Sequence, residues 1–547
     1  MSVFSKIYPY GRLLGLWFKS SEKYFALWGA LANIGFSLLI VYINVFFTNW
    51  NRYFFDAIEK KDSTLFIKQI LIGAPLILII GLGVSLNFLF QNYYSFRWRQ
   101  WLTQHIETHW LSFKNYYHLT QKKGFDNPDQ RISQDIDSVT RQTVDITLSL
   151  LHNVTNLVTF LILLWQISNL IKLSFFGKAL NVPGLLVYIA LLYGILEIAF
   201  SFKIGRPLLS LNRKREKFEA DYRYQLMRIY ERREEITLHS GERIESENLR
   251  QAFESIRRNY LTYLKKEIYI SSFQNIYGHL DQFIPIFLMG PSYFTGVISL
   301  GILMQVGQLF TQVAGSLGSI ARRIENIYHY IASFQRLVSF EQQMIKEISP
   351  AKCYPQNADY IEVQPFTLFN QKEVIWKVPL IKVQKGERKV LMAPSGCGKS
   401  SLLRAIKGIE DFRIPVQSLC VPKQTVFIPQ RPYMPLGTLR QCLSYPLRPV
   451  DNAELIPLLT DCQLGHLINL LDQEDDYQNR LSLGEQQRIN FVRLVLQSPS
   501  WMILDEPISA LDQSRREICI DFLLKKCPES GILIISHQQL DGFERIK

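Results

Sequence analysis

Two textures in the sequence predict the fold class, a multi-pass α-helical membrane domain followed by an α/β domain. Long apolar runs recur at about residues 24–47, 69–91, 145–168, 183–202, 268–290 and 294–318, whereas from Asp359 onward short β-rich runs alternate with turns and helical stretches. The 547 residues exceed what one hydrophobic core organises. Hydrophobic residues make up 48% and charged residues only 20%, and the apolar excess sits in the first three hundred positions.

Each run is long enough to cross a bilayer core, which takes about 20 helical residues. A single such run is equally a buried helix of a soluble protein; six in one half of a chain are not. The fifth, ISSFQNIYGHLDQFIPIFLMG, carries His279 and Asp281 within its apolar stretch. Lysine and arginine then set the orientation, because cytoplasmic loops retain them. They concentrate between Lys203 and Lys266, in LNRKREKFEADYRYQLMRIYERREE, and between the second and third runs at Arg97, Arg99, Lys114, Lys122, Lys123, Arg131 and Arg141. Both long loops and both termini are therefore expected in the cytoplasm. This accounts for much of the formal net charge of +13 without nucleic acid as a partner. Both loops are helical in pattern, so the spans should continue as helices into the cytosol. All seven cysteines, Cys353 to Cys527, lie in the C-terminal part without metal-ligand spacing, and no secretory signal precedes them, which fits a reducing compartment.

The stretch KEISPAKCYPQNAD separates the textures and gives three segments: a membrane domain over 1–345, a linker over 346–358 and the α/β domain over 359–547. Within the last, VLMAPSGCGKSSLLRAIKG has the form G-x-x-x-x-G-K-[ST] of a phosphate-binding loop, with Ala393 at the first glycine. The strand ERKVLM enters it and the helix SSLLRAIKG leaves it. In this context Ala393, Pro394, Ser395, Gly396, Cys397 and Gly398 surround the phosphates of a nucleotide, Lys399 reaches the terminal ones, and Ser400, followed by Ser401, ligates Mg²⁺ at the helix start. Alanine suffices at 393 because that residue closes the strand, while Gly396 and Gly398 stand where backbone approaches phosphate closely or takes a positive φ. WMILDEP ends a buried strand on Asp505, suited to hold Mg²⁺, and Glu506, suited to be the general base for an attacking water. ILIISH ends another on His537, within reach of a γ-phosphate. FIPQ places Gln430 after a third.

LSLGEQQRINFVRLVLQ brings these residues into one family. Leu481 to Gln486 resemble the L-S-G-G-E-Q signature of ABC transporters, with Leu483 in place of the first glycine, and Ser509-Ala510-Leu511-Asp512 is similar to their D-loop. The resemblance implies an exporter-type ABC fold with a P-loop ATPase domain. It makes Gln430 the Q-loop residue and an Mg²⁺ contact, Asp505 the Walker B aspartate, Glu506 the catalytic glutamate and His537 the switch histidine. Ser482, Gly484 and Gln486 would face the γ-phosphate bound by the opposite protomer. The family's adenine-stacking aromatic falls near Leu368, with Phe369 as its substitute. One membrane region and one ATPase region imply a half-transporter, working as a homodimer or with a closely related half.

In the membrane part NWNRYFFDAIEKKD, WRQWLTQHIETHWLSFKNYYHL, DNPDQRISQDI and EEITLHSGERIE resemble bacterial half-transporters grouped with the SbmA/BacA peptide and vitamin B12 transporters and with the peroxisomal fatty-acyl-CoA (ABCD-type) transporters. The last two stretches would lie in or near the cytoplasmic coupling regions. The implied activity is ATP hydrolysis driving alternating access for a small or amphipathic solute, peptide, cobalamin-like or acyl-CoA-like, in a bacterial inner membrane. A proton-coupled carrier with a regulatory ATPase domain is the alternative; the intact Lys399, Asp505, Glu506 and His537 stand against a decayed ATPase. Six spans stand against a soluble-type ABC ATPase acting on nucleic acid or ribosomes. Cys397 should make the phosphate loop sensitive to alkylation. Glu197, in YGILEIAFSF, is an intramembrane carboxylate that serves either the translocation path or a pairing between helices.

Overall fold

The computed structural model describes residues 3–120, 127–170, 173–175, 178–180, 182–346, 359–370, 373–392, 397–407, 409 and 419–546. The chain forms two compact units, one from Met1–His109 with Asp126–Gln343 and the other from Trp110–Phe125 with Met344–Lys547.

The first unit is helical. Its elements are α1 (Val3–Phe18), α2 (Lys23–Glu59) and α3 (Ser63–Leu111); after α4 (Asn115–Thr120), which belongs to the second unit, come the turn α5 (Pro128–Gln130), then α6 (Ile136–Leu170), α7 (Leu185–Glu231), α8 (Arg233–Leu238), α9 (Glu242–Phe294), α10 (Leu300–Arg322) and α11 (Ile324–Lys346). A short antiparallel pair, β1 (Leu173–Phe175) and β2 (Lys178–Leu180), joins α6 to α7. Four of the described helices are long and apolar enough to cross a membrane: α2, α3, the helix running over Pro128–Asn169, and α7. At 1.5 Å per residue the 53 residues of α9 reach about 80 Å, well beyond the roughly 30 Å of a hydrocarbon core. The apolar runs at 69–91 and 268–290 thus sit inside much longer helices, and that at 183–202 forms the first part of one from Leu185, as their basic, helix-patterned flanks predict.

The sixth run differs from its expected start. α9 continues to Phe294, and α10 begins only at Leu300. Gly296, at φ +72°, ends α9: its N–H donates to the Tyr293 carbonyl and that of Val297 to the Ser292 carbonyl, a paired C-terminal cap that needs a left-handed residue.

α10 packs against α2, α6, α7 and α9. Phe160 and Leu164 of α6, Ala190 and Tyr193 of α7, Met289 of α9 and Val306, Phe310 and Val313 of α10 form the shared core. Between helices in lipid, apolar packing alone has little driving force, so small residues and polar pairs decide the fit. Three amide pairs tie α10 down: Gln305 Nε2 donates to Asn49 Oδ1 at 2.9 Å, Asn51 Nδ2 to Gln308 Oε1 at 3.0 Å, and Asn156 Nδ2 to Gln312 Oε1 at 2.9 Å. The N-terminus of α10 is capped by α2, with Leu300 N–H donating to Glu59 Oε2 (2.8 Å) and Gly301 N–H to Asp56 Oδ1 (3.0 Å). Glu197, buried in α7, lays its carboxylate against Gly318 of α10, leaving no room there for a side chain.

One helix and one buried ion pair were not anticipated from sequence. α1 buries Leu13 and Trp17, the latter stacked on Trp98 of α3 at 5.5 Å, and its Arg12 pairs with Glu341 of α11 at 3.0 Å. Buried Asp135 accepts from Arg336 Nε at 2.9 Å and from Arg131 at 3.1 Å.

The second unit is α/β. Its strands are β3 (Tyr360–Val363), β4 (Phe366–Asn370), β5 (Glu373–Val378), β6 (Ile381–Gln384), β7 (Arg388–Met392), β8 (Leu419–Cys420), β9 (Thr425–Ile428), β10 (Gly437–Thr438), β11 (Glu474–Asp475), β12 (Trp501–Asp505), β13 (Gly531–Ser536) and β14 (Glu544–Ile546). Five of them form a parallel sheet in the order β14-β7-β13-β12-β9, beside an antiparallel β6-β3-β8 sheet and the β4–β5 hairpin. The helices are α12 (Lys399–Ile406), α13 (Leu439–Ser444), α14 (Asn452–Asp461), α15 (Tyr477–Arg480), α16 (Leu483–Gln497) and α17 (Gln513–Lys526). β12 and β13 are buried along their whole length, which is why they read as unbroken apolar runs. Successive residues still divide between two cores: Met502, Leu504, Ile532 and Ile534 face α13, α14, α16 and α17, while Ile503, Leu533 and Ile535 face α12 and the antiparallel strands.

A methyl placed at Gly301 would overlap the Arg52 carbonyl oxygen and the Asp56 carboxylate, whereas nothing lies within 4 Å of one placed at Gly307. Gly301→Ala is therefore expected to destabilise the membrane unit by about 1–3 kcal/mol, read as a lowered thermal midpoint in detergent, with Gly307→Ala close to wild type.

Candidate functional site

Ligands of open parallel sheets bind beyond the carboxyl ends of the strands, and here the register gathers the charged residues there. β12 pairs with β13 so that Asp505 faces Ile535, β13 with β7 so that Ser536 faces Met392, and β9 with β12 so that Ile428 faces Leu504. The residues just past these ends, Glu506, His537 and Gln430, and the start of α12 therefore meet at one edge.

Gly398 caps α12 at φ +101°, a conformation that favours glycine, and the helix opens with Lys399 and Ser400. Ala393, Pro394, Ser395 and Gly396 lie outside the described residues; Cys397 is half-buried beside Gly398. The Lys399 ammonium is buried and held between the Glu506 carboxylate and the His537 ring, with His537 Nε2 at 2.6 Å. A buried ammonium needs such partners. Gln430 Nε2 donates to Glu506 Oε2 at 2.9 Å and His537 Nε2 lies 2.6 Å from Glu506 Oε1, so Glu506 is the hub of the cluster. Its backbone is left-handed, φ +44°, and its N–H donates to the Ile535 carbonyl at 2.9 Å. Non-glycine residues in that region carry strain that persists where surrounding structure imposes it, commonly at functional sites.

Ser400 Oγ donates to Asp505 Oδ2 at 3.0 Å. Burial pushes the Asp505 carboxyl above its usual range, opposed by the Ser400 hydroxyl. A hydroxyl and a carboxylate oxygen this close are the hard oxygen donors that Mg²⁺ accepts when phosphates and water complete its shell. Among the described residues no cluster of three or more His, Cys, Asp or Glu could hold a metal by itself. Serine and aspartate therefore fit an ion that arrives with a phosphate ligand. Gln430 is directed at Glu506 instead of this pair.

The signature stretch opens α16. Ser482 caps it: its Oγ accepts from Glu485 N–H, and Glu485 in return accepts from Ser482 N–H at 3.0 Å. Leu483 stands half-exposed in the first turn. A Cβ on Gly484 would lie 3.2 Å from the Ala510 carbonyl oxygen, so glycine lets α16 approach the Ser509–Asp512 stretch closely. Gln486 faces inward, donating to the Gln478 and Leu481 carbonyls at 2.8 Å each, and its side chain is buried. Phe369 lies in β4 at a bulge of the hairpin; its side chain is outside the described residues.

Two positioning residues escaped the sequence reading. Gln487 Nε2 donates to Ser509 Oγ at 3.0 Å while its Oε1 accepts from Ala510 N–H at 3.0 Å, which clamps α16 to the residues following Glu506. Arg493 donates from Nε to the Cys442 carbonyl (2.7 Å) and from Nη1 to the Tyr433 carbonyl (2.8 Å), linking α16 to the stretch after Gln430; burial pulls its guanidinium down to about 10. Both lie in LGEQQRINFVRL, where a single sequence signals only an amphipathic helix.

Comparison with known families agrees with this architecture. Residues 16–294 match the family described as ABC transporter transmembrane region 2, and residues 379–509 match that described as ABC transporter. The chain belongs to the ABC transporters. It is a half-transporter, with one membrane region fused to one ATPase domain, and its ATPase domain binds ATP and hydrolyses it to drive transport. This ABC half-transporter is 29% identical over 508 residues to the inner membrane ABC transporter ATP-binding protein YddA of Escherichia coli, covering 91% of this chain and 89% of that one. It is 28% identical over 603 residues to the chloroplastic ABC transporter D family member 2 of Arabidopsis thaliana, covering 95% and 82%. Its fold matches a bacterial Atm1-family ABC exporter with ATP bound at a TM-score of 0.72 and 15% identity, over 93% of this chain and 91% of that one. The membrane unit therefore has the exporter-type ABC fold, and the protein is an integral multi-pass membrane protein.

Gln487→Ala removes two hydrogen bonds together worth about 1–2 kcal/mol and should lower ATP turnover about three- to tenfold while leaving the affinity for an ATP analogue unchanged, as measured by steady-state hydrolysis and equilibrium binding. Maleimide treatment should abolish hydrolysis through Cys397, with ATP protecting and Cys397→Ser resisting; counting labelled thiols by mass spectrometry checks the site.

Proposed function

We propose that two copies of this half-transporter, or one copy and a close relative, bind two ATP molecules between ATPase domains arranged head to tail, and that closure of this pair switches the membrane cavity from one side to the other. The observation that supports it above all is the convergence of Lys399, Ser400, Asp505, Glu506, His537 and Gln430 at one sheet edge.

In this reading the phosphates enter at the start of α12, where helix N–H groups and the Lys399 ammonium favour an anion. Lys399 exchanges Glu506 and His537 for β- and γ-phosphate oxygens and so frees the carboxylate. Glu506 then accepts a proton from water as the water oxygen bonds to the γ-phosphorus and the bond to the bridging oxygen breaks, giving ADP and phosphate. Gln430 and His537 orient Glu506 and the γ-phosphate. Ser400 and Asp505 would hold Mg²⁺, with Gln430 as a further ligand once it leaves Glu506, and the ion would supply charge neutralisation to the phosphates. Ser482 and Gly484, at the open tip of α16, face the γ-phosphate of the opposite copy, with Gln486 holding that tip from inside. Phe369 stacks on adenine. ATP binding does the conformational work, and hydrolysis resets the pair.

The membrane domain comprises residues 1–345 with six spans, joined by residues 346–358 to the ATPase domain over 359–547. The basic flanks of the spans support a cytoplasmic location for both termini and the ATPase domain. The membrane is the bacterial inner membrane, a reading supported by the name of the E. coli relative. The cargo is a small or amphipathic solute of the peptide, cobalamin-like or acyl-CoA-like classes.

Glu506→Gln keeps the hydrogen-bonding shape but not the base. Hydrolysis should fall at least about a hundredfold, and MgATP should convert the purified protein to a nucleotide-retaining closed dimer, seen by crosslinking across the paired ATPase domains. Undiminished turnover would overturn the assignment.

A further inference from the structure

A cavity of about 400 Å³ opens in the membrane unit between α3, α6 and the α10–α11 junction. Phe88, Gln91, Asn92 and Ser95 of α3 line it, with Arg141, Gln142 and Asp145 of α6 and Arg323 and Asn326 beyond. All three walls change character at this level. The apolar run of α3 ends near residue 91, that of α6 begins at 145, and that of α10 ends near 318. On the reading given above, in which the basic flanks are cytoplasmic, this is the depth of the inner-leaflet headgroups.

The charges in it do not cancel. Arg323 Nη1 pairs with Asp145 Oδ2 at 2.7 Å, which neutralises both. Arg141 remains, exposed, and has no ion-pair or hydrogen-bond partner among the described residues. Gln142 beside it spends its amide N–H on Ser138 Oγ at 2.9 Å, while its Oε1 is buried and also lacks a partner among the described residues. The cavity thus presents, side by side, one guanidinium and one acceptor that lack partners among the described residues. A guanidinium selects phosphate or carboxylate, with two parallel hydrogen bonds available to phosphate. An amide oxygen asks for an O–H or N–H donor, and leaving it buried and unmet costs about 1–3 kcal/mol. Toward the membrane centre the same helices carry exposed apolar residues, Leu86, Phe88 and Leu89 on α3 and Leu150 and Val154 on α6. Basic pockets between spanning helices on the cytoplasmic side are a recognised setting for anionic lipid headgroups.

We propose that this cavity binds an anionic phospholipid of the inner leaflet, its phosphate on Arg141, a headgroup hydroxyl on Gln142 Oε1 and its acyl chains along the exposed apolar flanks of α3 and α6. Phosphatidylglycerol supplies all three features. Arg323 and Asp145 hold the α6 wall to the α10–α11 junction and shape the cavity without contributing net charge.

The test uses the full-length protein, stripped of lipid in detergent and titrated with phosphatidylglycerol or phosphatidylcholine, with lipid retention read by native mass spectrometry. Wild type should bind phosphatidylglycerol well above phosphatidylcholine at one site per chain. Arg141→Gln should weaken it about tenfold, and Gln142→Leu, which removes the acceptor for the headgroup hydroxyl, should also weaken it. Arg206→Gln, an exposed arginine near the end of the fourth apolar run, should leave it unchanged. Equal retention by wild type and Arg141→Gln, an equal loss in Arg206→Gln, or displacement by millimolar inorganic phosphate would each overturn the lipid site. Because retention is read without ATP, failure here leaves the transport reading standing, and failure of Glu506→Gln to trap nucleotide leaves this one standing.

Discussion

The parallel register of β7, β13, β12 and β9 is the constraint on which the catalytic half depends. Parallel strands end on the same side, so each buried apolar strand delivers its last polar residue to one edge. Slipping β12 by one residue against β13 would send Met502 and Leu504 to the face now held by Ile503, and would carry Asp505 away from Ser400. The two cores on either side of the sheet make such a slip costly. Catalytic geometry is in this sense a by-product of burying alternate aliphatic side chains on opposite faces. The left-handed backbone at Glu506 is the local cost of turning the chain sharply enough to leave its carboxylate beside Lys399.

The membrane unit solves a different problem. Lipid offers no reward for burying leucine, so α10 is located by what leucine cannot do: carboxylates capping its first N–H groups, three amide pairs, and glycines where neighbours come too close for a side chain. Glu197 belongs to this set as well, since its carboxylate is pressed on Gly318 between α7 and α10.

How much of this was legible in the sequence follows from how local each signal is. The helix start at Lys399 and Ser400, the buried strand ending in Asp505, the one just before His537 and the cap of α16 are short motifs, and each lies on the element its pattern predicts. Four of the apolar runs fall in helices long and apolar enough to span, because hydropathy needs no partner. Their ends were harder: the end of α9 depends on a cap at Gly296 inside a stretch that reads as apolar throughout. Gln487 and Arg493 were missed because their partners, Ser509, Ala510, Cys442 and Tyr433, are distant in sequence, and Gln486, read as facing a phosphate, proves to be bound inward to Gln478 and Leu481. The grouping of Trp110–Phe125 with the ATPase unit is a further non-local fact: Lys114 reaches the Lys407 carbonyl at 3.5 Å, across nearly three hundred residues of chain.

The amide ladder along α10 has one more consequence. Asparagine and glutamine are uncharged and carry both donor and acceptor, so Gln305, Gln308 and Gln312 can part from Asn49, Asn51 and Asn156 without stranding an ion in hydrocarbon, and each freed amide can take up water or another amide in its place. A lock of salt bridges would have to be broken against the full cost of naked charge. This one works like a zip fastener, firm when closed and cheap to reopen one tooth at a time.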